Sequence, residues 1–286
     1  MTDHGWMDLD GARRIGYRVE QTFRYAYDAP VTALAQRLVV VPRRRHGDLY
    51  RRAHRLTVTG AAHARRDRLD SAGNTVVRVV AARVERAVEF RLTADLDRVV
   101  GDGPPALPLA ALQDPRLLRA TRLTAPDEAL RELAGRCAGA DAEEKAARAC
   151  SVAHAALTYG FGATTVSTTA AQALAGGTGV CQDSAHVMLS MCRLLGLPAR
   201  YVSGHLIGQG GTHAWVEVLV PRGDRAVALA FDPCHGRRAG NGYVTVAVGR
   251  DYADVAPTSG TYVGAPGGTL TGTRDVTVTS IDRERV

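Results

Sequence analysis

One cysteine of this 286-residue chain lies where a helix is predicted to begin. Cys181 follows a glycine-rich loop, and the apolar residues after it recur at helical spacing as far as about Leu195. Gly196 suits the C-terminal cap of such a helix, and Pro198 prevents its continuation. The partial positive charge at a helix N-terminus stabilises a thiolate, the nucleophilic form of cysteine. Cys181 is therefore a candidate nucleophile, although a lone cysteine in this position is more often a small buried residue.

A histidine and an aspartate further along the chain are predicted to face each other across a β-hairpin. Residues 213–220 and 225–231 have the composition of strands, and Pro-Arg-Gly-Asp at 221–224 is typical of a turn. Centring the hairpin on this turn pairs three sets of apolar residues on one side: Ala214 with Phe231, Val216 with Leu229, and Val218 with Val227. On the other side, the same register places His213 opposite Asp232. Directly paired residues lie about 5 Å apart on one face of a sheet.

A cysteine at a helix start and a histidine held by an aspartate form the nucleophile–base–orienter arrangement of acyl-transfer enzymes. In that arrangement His213 takes the thiol proton and pairs with the thiolate, while Asp232 fixes the ring tautomer and stabilises the imidazolium. The backbone N–H of Cys181 is the expected donor to an oxyanion hole, and the sequence does not identify a second donor. The alternative is a structural hydrogen bond between His213 and Asp232, with Cys181 in the core.

Two other histidines and a tryptophan lie close in sequence to this pair. His205 and His235 could compete with His213 as the base, but the hairpin register places neither of them opposite Asp232. Trp215 lies two residues after His213 and therefore on the same face of the strand. Two interpretations of Trp215 remain open, namely packing beside the histidine to exclude water and plain burial in the core.

We expect neither a metal ion nor a cofactor. Cys181, His186 and Cys192 could be imagined as metal ligands, but their spacing fits no common zinc pattern. Cys192 is expected to be an inert residue of the apolar helix. Cys234 lies two residues after Asp232 and is expected to be a spectator thiol near the site.

Four motifs occur in a characteristic order around the three candidate residues. They are Gly-Val-Cys-Gln-Asp-Ser-Ala-His at 179–186, Gly-Leu-Pro-Ala-Arg-Tyr-Val-Ser-Gly at 196–204, His-Ala-Trp-Val-Glu at 213–217, and Phe-Asp-Pro at 231–233. In order and spacing they resemble the bacterial transglutaminase-like cysteine protease family. That resemblance implies a papain-like core with a Cys-His-Asp triad, to which Cys181, His213 and Asp232 correspond. The family often carries an aromatic residue in place of Ser184 and threonine in place of Cys234, and neither departure affects the triad.

Residues 17–99 are predicted to form several short β-strands. Apolar and polar residues alternate from Tyr17 to Tyr27, and turn residues separate the apolar runs that follow. Short strands without a helix pattern indicate a β-sandwich. The region also resembles the N-terminal β-domain that accompanies the family's catalytic domain. The residues that carry this resemblance are the aromatic first strand with Pro30, Arg37-Leu38 with Pro42, and Asp70 with Gly73-Asn74.

Gly-Asp-Gly-Pro-Pro at 101–105 marks the predicted boundary between domain 1–103 and domain 104–286. Three helices are predicted before Cys181. The first is capped by Thr124 with Asp127 and extends to about Cys137, and the second begins at Asp141 with Glu144 and reaches Tyr159. The third is capped by Thr169 with Gln172 and ends at Gly176. Residues 269–279 alternate and are predicted to be a strand of the second domain. The expected fold class is α+β, with an N-terminal β-sandwich followed by a papain-like, transglutaminase-like catalytic domain.

Composition sets limits on location and partners. The net charge is +7, and residues 1–100 account for it with 19 Arg against 12 acidic residues. A nucleic-acid surface is one interpretation, but few aromatic residues are interleaved and no binding motif occurs, so we expect a solvated arginine-rich face.

No run of 18 apolar residues and no apolar signal core occur, and five cysteines at irregular spacings favour a reducing compartment. We therefore expect a cytoplasmic protein that binds neither membrane nor nucleic acid; its oligomeric state is open.

The combined expectation is a cysteine-dependent acyl-transfer enzyme that acts on amide bonds of a peptide or protein substrate through a thioester. Hydrolysis is favoured, since the resemblance implies mostly protease-like relatives and no amine-binding site is indicated. The alternatives are a protein-glutamine amine transferase, or transglutaminase, and a non-catalytic binding or scaffold module that retains the fold.

Overall fold

The computed structural model describes residue 9 and residues 11–283. The strands are β1 (Ala12–Ala26), β2 (Val31–Leu38), β3 (Arg45–His46), β4 (Leu49–Thr59), β5 (Ala64–Leu69), β6 (Thr75–Val84), β7 (Ala87–Val99), β8 (Ala106–Pro108), β9 (Thr158–Tyr159), β10 (Thr178–Gly179), β11 (Ala199–Leu206), β12 (Gly208–Gln209), β13 (His213–Arg222), β14 (Arg225–Asp232), β15 (Arg237–Arg238), β16 (Tyr243–Gly249), β17 (Thr258–Val263) and β18 (Thr269–Arg283). The helices are α1 (Pro115–Leu118), α2 (Glu128–Gly135), α3 (Ala142–Ala156), α4 (Ala170–Gly176), α5 (Cys181–Leu194) and α6 (Tyr252–Val255), with 3-10 turns at Val100–Asp102 and Leu109–Gln113.

Two sheets form the N-terminal β-sandwich that the alternating pattern predicts. One has the strand order β12-β18-β1-β7-β4-β3, and the other has the order β17-β2-β6-β5. Apolar side chains from both sheets pack into one buried cluster, which includes Leu38, Val79 and Phe90. Each of these three side chains is almost completely removed from water. Burial of this shared apolar face holds the two sheets together.

Two C-terminal strands complete the sandwich. β18 pairs antiparallel with β1 along almost its whole length, from Thr269 opposite Ala26 to Arg283 opposite Ala12. β17 pairs with β2 in the other sheet. The sequence predicted a strand at 269–279 but placed it in the second domain. A period-two pattern identifies a strand and its buried face, whereas the partner strand depends on the tertiary fold.

The remaining sheet carries the second domain, with the strand order β15-β14-β13-β11-β16 and with β8 on the far side of β14. Helix α5 packs against this sheet, and α2, α3 and α4 pack around α5. Met188 and Leu189 of α5 lie in the same core cluster as Val216 and Val218 of β13. The mixture of a β-sandwich and a helix-covered sheet gives the α+β class that the sequence predicts. Of the helices described, α5 included, not one has the length and apolar character needed to span a membrane.

Helix α5 begins and ends where the sequence predicts, to within one residue. The Asp183 carboxylate accepts a hydrogen bond of 2.8 Å from the backbone N–H of Val180, directly before the first turn. Such a contact satisfies a donor that the helix N-terminus otherwise leaves free. Gly196, with φ of 69°, follows the last turn in the left-handed conformation that glycine favours.

Two of the earlier helix boundaries differ from the prediction. Asp127 is itself the N-cap of α2, because its carboxylate accepts from the backbone N–H of Leu130, and the predicted cap Thr124 instead binds Arg193. α3 ends at Ala156, before the predicted Tyr159. Residues 158–159 instead form β9, which pairs in parallel with β10. The apolar pattern continued through this segment, but the backbone hydrogen bonds to residues distant in sequence decide its conformation.

Candidate active site

The hairpin formed by β13 and β14 has a register two residues away from the predicted one. Val216 pairs with Phe231, where the prediction had Leu229. The strands continue through Pro221 and Arg222, so the turn contains only Gly223 and Asp224, and Gly223 has φ of 59°. A two-residue loop with positive φ suits the twist of a β-hairpin better than a longer loop. The predicted register was therefore wrong, but a shift of two residues leaves every side chain on its predicted face.

His213 and Asp232 form a hydrogen bond despite this shift. His213 begins β13 and Asp232 ends β14, and in the observed register they are diagonal neighbours beyond the last paired residues. Nε2 of His213 lies 2.8 Å from Oδ2 of Asp232. His213 is buried and Asp232 has no exposed surface. An imidazole can span a diagonal separation of about 7–8 Å between paired strands, because its ring extends along the sheet.

Asp232 accepts hydrogen bonds from five described donors. Its Oδ2 accepts from Nε2 of His213, from Nδ1 of His235 at 2.7 Å and from the Tyr243 hydroxyl at 2.7 Å. Its Oδ1 accepts from the backbone N–H groups of Cys234 at 2.9 Å and His235 at 3.2 Å. Burial alone would raise the pKa of Asp232, but the hydrogen bonds from His213 and His235 outweigh burial and hold the pKa well below its usual range. The carboxylate is therefore ionised at neutral pH.

Cys181 is close enough to His213 to affect the pKa of the ring. It is the first residue of α5 and its side chain is partly exposed. Burial lowers the pKa of His213, but hydrogen bonds with Asp232 and Cys181 outweigh this effect and raise the pKa to about 9. Because Asp232 holds the Nε2–H, the ring directs Nδ1 away from the carboxylate. A cysteine with an imidazole next to it is the arrangement in which an adjacent base activates a thiol nucleophile.

Two aromatic side chains enclose the buried part of the site. The rings of His213 and Trp215 are stacked, with centroids 6.1 Å apart at 28°, and Tyr243 meets Trp215 edge-on at 5.4 Å. Trp215 is 1% exposed, so both open interpretations of this residue hold: it packs beside the histidine and belongs to the core. Tyr243 was missed by the sequence, because it comes from β16 and no local pattern connects it with the hairpin.

Comparison with known proteins assigns the chain to a family. Residues 131–233, which contain Cys181, His213 and Asp232, match the transglutaminase-like superfamily, and residues 17–97 match the bacterial transglutaminase-like N-terminal region. The chain belongs to the transglutaminase-like superfamily. The family resemblance inferred from the four motifs is thereby confirmed.

Relatives of this transglutaminase-like protein extend over most of its length. Rv2569c, an uncharacterised protein of Mycobacterium tuberculosis, is 33% identical over 89% of both chains. The crystal structure of a protein from Cytophaga hutchinsonii, described as a candidate cysteine protease, superposes with a TM-score of 0.75. The sequence identity in that pair is 22%, with 95% of this chain and 93% of the other chain covered, so the likeness concerns the fold.

The two competing histidines of the transglutaminase-like chain have different environments. His235 contacts Asp232 although the predicted register did not place it opposite that residue, because residues 233–235 turn back over the end of β14. His205 is buried on β11, and neither of its ring nitrogens has a hydrogen-bond partner within the described chain. An aspartate followed three residues later by histidine was the available signal for the His235 contact.

Two other cysteines have thiols with raised pKa values. Cys192 is completely buried, as expected for a core residue, and burial raises the pKa of its thiol. Cys234 is partly exposed, but burial together with the charges of Cys181 and Asp232 raises the pKa of its thiol to about 12. Cys181 is therefore the cysteine at this site whose surroundings include a hydrogen-bonded imidazole.

Three described side chains offer ligand atoms close enough to hold a metal ion. They are His213, Asp232 and His235, whose ligand atoms lie within 4.8 Å of one another. Hydrogen bonds of 2.8 and 2.7 Å already account for this grouping. A metal ion bound there would take the Nε2 atom by which His213 contacts Asp232. This group differs from the one weighed in the sequence, in which His186 instead accepts from the backbone N–H of Tyr252.

Strands β9 and β10 and the residues after β9 come directly before Cys181 or pair with the segment that does. Tyr159 pairs with Gly179, two residues before Cys181. A Cβ atom on Gly160 would lie 2.4 Å from Cγ2 of Thr178, so close contact of the two strands requires glycine there. Tyr159 is 63% exposed and Phe161 is 92% exposed, so two aromatic side chains of this segment are open to solvent.

Proposed function

We propose that this protein is a cysteine-dependent acyl-transfer enzyme that acts on amide bonds of peptides or proteins, with Cys181, His213 and Asp232 as its triad. The observation that carries the proposal is the hydrogen bond between His213 and the fully buried Asp232, together with the effect of nearby Cys181 on the pKa of His213. Membership in the transglutaminase-like superfamily supports this class of chemistry.

The proposed reaction has two stages. The Cys181 thiolate attacks the amide carbon, and the protonated His213 gives its proton to the nitrogen as the C–N bond breaks. The amine leaves and an acyl-thioester remains on Cys181. In the second stage His213 removes a proton from a water molecule as the water oxygen attacks the thioester carbon. The carboxylic acid leaves, and the Cys181 thiolate and protonated His213 are restored.

The pKa of His213, raised to about 9, suits both stages. The ring is protonated when the leaving nitrogen needs a proton, and loss of that proton to the amine leaves a base positioned for water. Asp232 remains ionised throughout and stabilises the imidazolium. The backbone N–H of Cys181, at the free N-terminus of α5, is our candidate donor to the oxyanion.

Water is the acceptor that we propose. No described feature indicates an amine-binding site, and the chain contains a single lysine, Lys145, which limits cross-linking of the protein to itself. Because both reactions share the acyl-thioester, the acceptor depends on whether an amine can bind while water is excluded. The cytoplasm remains our proposed location, on the cysteine content alone.

The test offers glutamine-containing peptides and ordinary peptides to the enzyme, with and without a primary-amine probe. Mass spectrometry of the products is expected to show hydrolysis, and the Cys181→Ser variant is expected to give none. Amine incorporation in clear excess over hydrolysis would assign the transferase reaction instead.

Alkylation of Cys181 distinguishes an enzyme from a scaffold that retained the fold. Iodoacetamide is expected to label Cys181 well below pH 8.5, the usual range for a thiol, while Cys234 stays unlabelled because its pKa is about 12. Peptide mapping locates the label, and the Cys234→Ser variant serves as control. An ordinary thiol profile for Cys181, together with no product from any peptide, would support the scaffold.

A further inference from the structure

His235 shares one carboxylate oxygen with the candidate base. Its Nδ1 lies 2.7 Å from Oδ2 of Asp232, and Nε2 of His213 lies 2.8 Å from the same atom. The Tyr243 hydroxyl donates to that oxygen as well. A carboxylate oxygen carries a limited negative charge, so each additional donor reduces the attraction that the others feel.

The two histidine rings are also close to each other. Their centroids lie 5.1 Å apart at an angle of 48°. Asp232 is completely buried, whereas about a third of the His235 side chain is exposed to solvent. His235 therefore forms a contact between the buried carboxylate and the surface, whereas the side chain of His213 is only 9% exposed.

We propose that His235 is a positioning residue that controls how firmly His213 holds its proton, by sharing the Asp232 carboxylate with it. The inference rests on the proposed function, since it assigns His213 the proton transfers. His235 donates Nδ1–H to Oδ2 and so weakens the attraction of that oxygen for the His213 proton.

Several other titratable groups face this pair, and they define what the experiment must hold constant. Cys181, Cys234 and Tyr243 interact with His213 or Asp232. Tyr159 from β9 is close enough to sense the charges of Cys181 and Cys234, and Cys150 of α3 senses Asp232. His154 of α3 contacts the backbone of Cys234, and Arg237 donates to the Tyr243 hydroxyl. Cys181 is replaced by serine in every protein used for NMR, and the other groups named here are not altered.

Two substitutions test the shared hydrogen bond. His235→Asn retains an N–H donor near the position of Nδ1. His235→Ala removes that donor. His63→Asn is the matched control, because His63 is exposed and contacts only a nearby carbonyl in the sandwich.

The first measurement is the proton affinity of His213 by NMR, in a Cys181→Ser background. Adding His235→Ala is expected to raise the pKa of His213 by about half a pH unit or more, because Asp232 then holds His213 alone. Adding His235→Asn is expected to change the pKa of His213 by no more than about a fifth of the shift caused by His235→Ala. This titration needs no turnover, so a failure of the proposed reaction does not hide the result.

The second measurement is the pH dependence of kcat/KM in the proteins that retain Cys181. The pH at which kcat/KM declines on the alkaline side is expected to rise in His235→Ala by the same interval as the His213 pKa measured by NMR. In His235→Asn and His63→Asn this pH is expected to stay unchanged. An unchanged His213 pKa in His235→Ala, or equal shifts in both His235 variants, would overturn the inference.

Discussion

At the scale of single residues, the site is organised around Asp232. Its two oxygens accept from five described donors, two of which are backbone N–H groups of the segment that follows it. The backbone donors fix the plane of the carboxylate, and the side-chain donors use Oδ2. The orientation of His213 therefore depends on local turn geometry as well as on the hairpin.

Replacement of Asp232 by asparagine tests its function directly. The asparagine amide places an N–H₂ group where the surrounding donors need an acceptor. The His213 ring is therefore expected to lose its preferred tautomer and orientation. Turnover is expected to fall by roughly three to four orders of magnitude, as for the equivalent change in a serine protease triad. Steady-state kinetics and circular dichroism measure activity and folding, with the exposed-turn change Asp224→Asn as control. Activity close to the wild-type level in a folded Asp232→Asn protein would contradict this assignment.

His205 is a buried histidine that makes the protein sensitive to acid. Burial, together with the charge of Arg274, lowers the pKa of His205 to about 3, so the folded protein holds it neutral. As pH falls below about 6.5, the unfolded chain gains a proton that the folded protein does not. The free energy of unfolding therefore decreases from about pH 6.5 towards pH 3, and the contribution of this residue is about 2 kcal/mol at pH 5.

His205→Leu should remove this acid sensitivity. The substitution also removes two buried ring nitrogens without partners, so stability at pH 7 is expected to rise by about 1 kcal/mol or more. Urea denaturation at pH 7 and pH 5 measures both effects. A wild-type protein and variant that lose the same stability between the two pH values would show that His205 does not titrate as inferred.

At the scale of elements, close contact between β11 and β13 positions the histidine. Gly204 pairs with His213, and a Cβ atom on Gly204 would lie 2.3 Å from the Val244 carbonyl oxygen and 2.4 Å from the Trp215 ring. Glycine therefore leaves room for Trp215 to stack on His213. Any larger side chain must displace either the indole ring or the backbone of β16.

Gly204→Ala is expected to lower both stability and activity. Overpacking in a close-packed core typically costs about 1–3 kcal/mol, and displacement of Trp215 moves the His213 ring that it supports. Thermal unfolding, Trp fluorescence and kcat measure the three consequences. Gly211→Ala is the control, because no atom lies within 4 Å of the Cβ position there. An unchanged kcat in Gly204→Ala would separate Trp215 from the positioning of His213.

At the scale of the whole molecule, polar side chains join the sandwich to the second sheet. The Asn74 amide donates to the Val248 carbonyl at 2.8 Å and accepts from the Val248 N–H at 2.9 Å, which extends the hydrogen bonding of β16. The Asp70 carboxylate and Arg43 hold Asn74 from the sandwich side. A second contact joins buried His46 to Glu217 of β13, which also binds Arg200. β17 and β18 return from the second sheet to the sandwich.

Asn74→Ala is expected to weaken this joint. Two buried backbone groups of Val248 lose their partner, which costs about 1–3 kcal/mol for each group left without one. Chemical denaturation measures the global loss, and hydrogen exchange is expected to show faster exchange at the Val248 N–H. Unchanged protection of that N–H would indicate that the Asn74 side chain does not stabilise β16.

The sequence by itself determined the local features of this protein. Capping and periodicity placed α5 to within one residue, turn chemistry identified the hairpin, and period-two alternation assigned its faces. These features depend on interactions between residues near in sequence. The choice of Cys181, His213 and Asp232 as a set followed from them, together with the family motifs.

Only the tertiary structure decided which distant residues meet. The true hairpin register depends on how far Pro221 and Arg222 continue the strand, and the partner of β18 depends on the free edge that β1 presents. Tyr243 reaches Asp232 from β16, and Asn74 reaches β16 from the sandwich. Side-chain patterns encode the face that is buried and not the element that covers it, because an apolar face is satisfied by any partner of suitable shape.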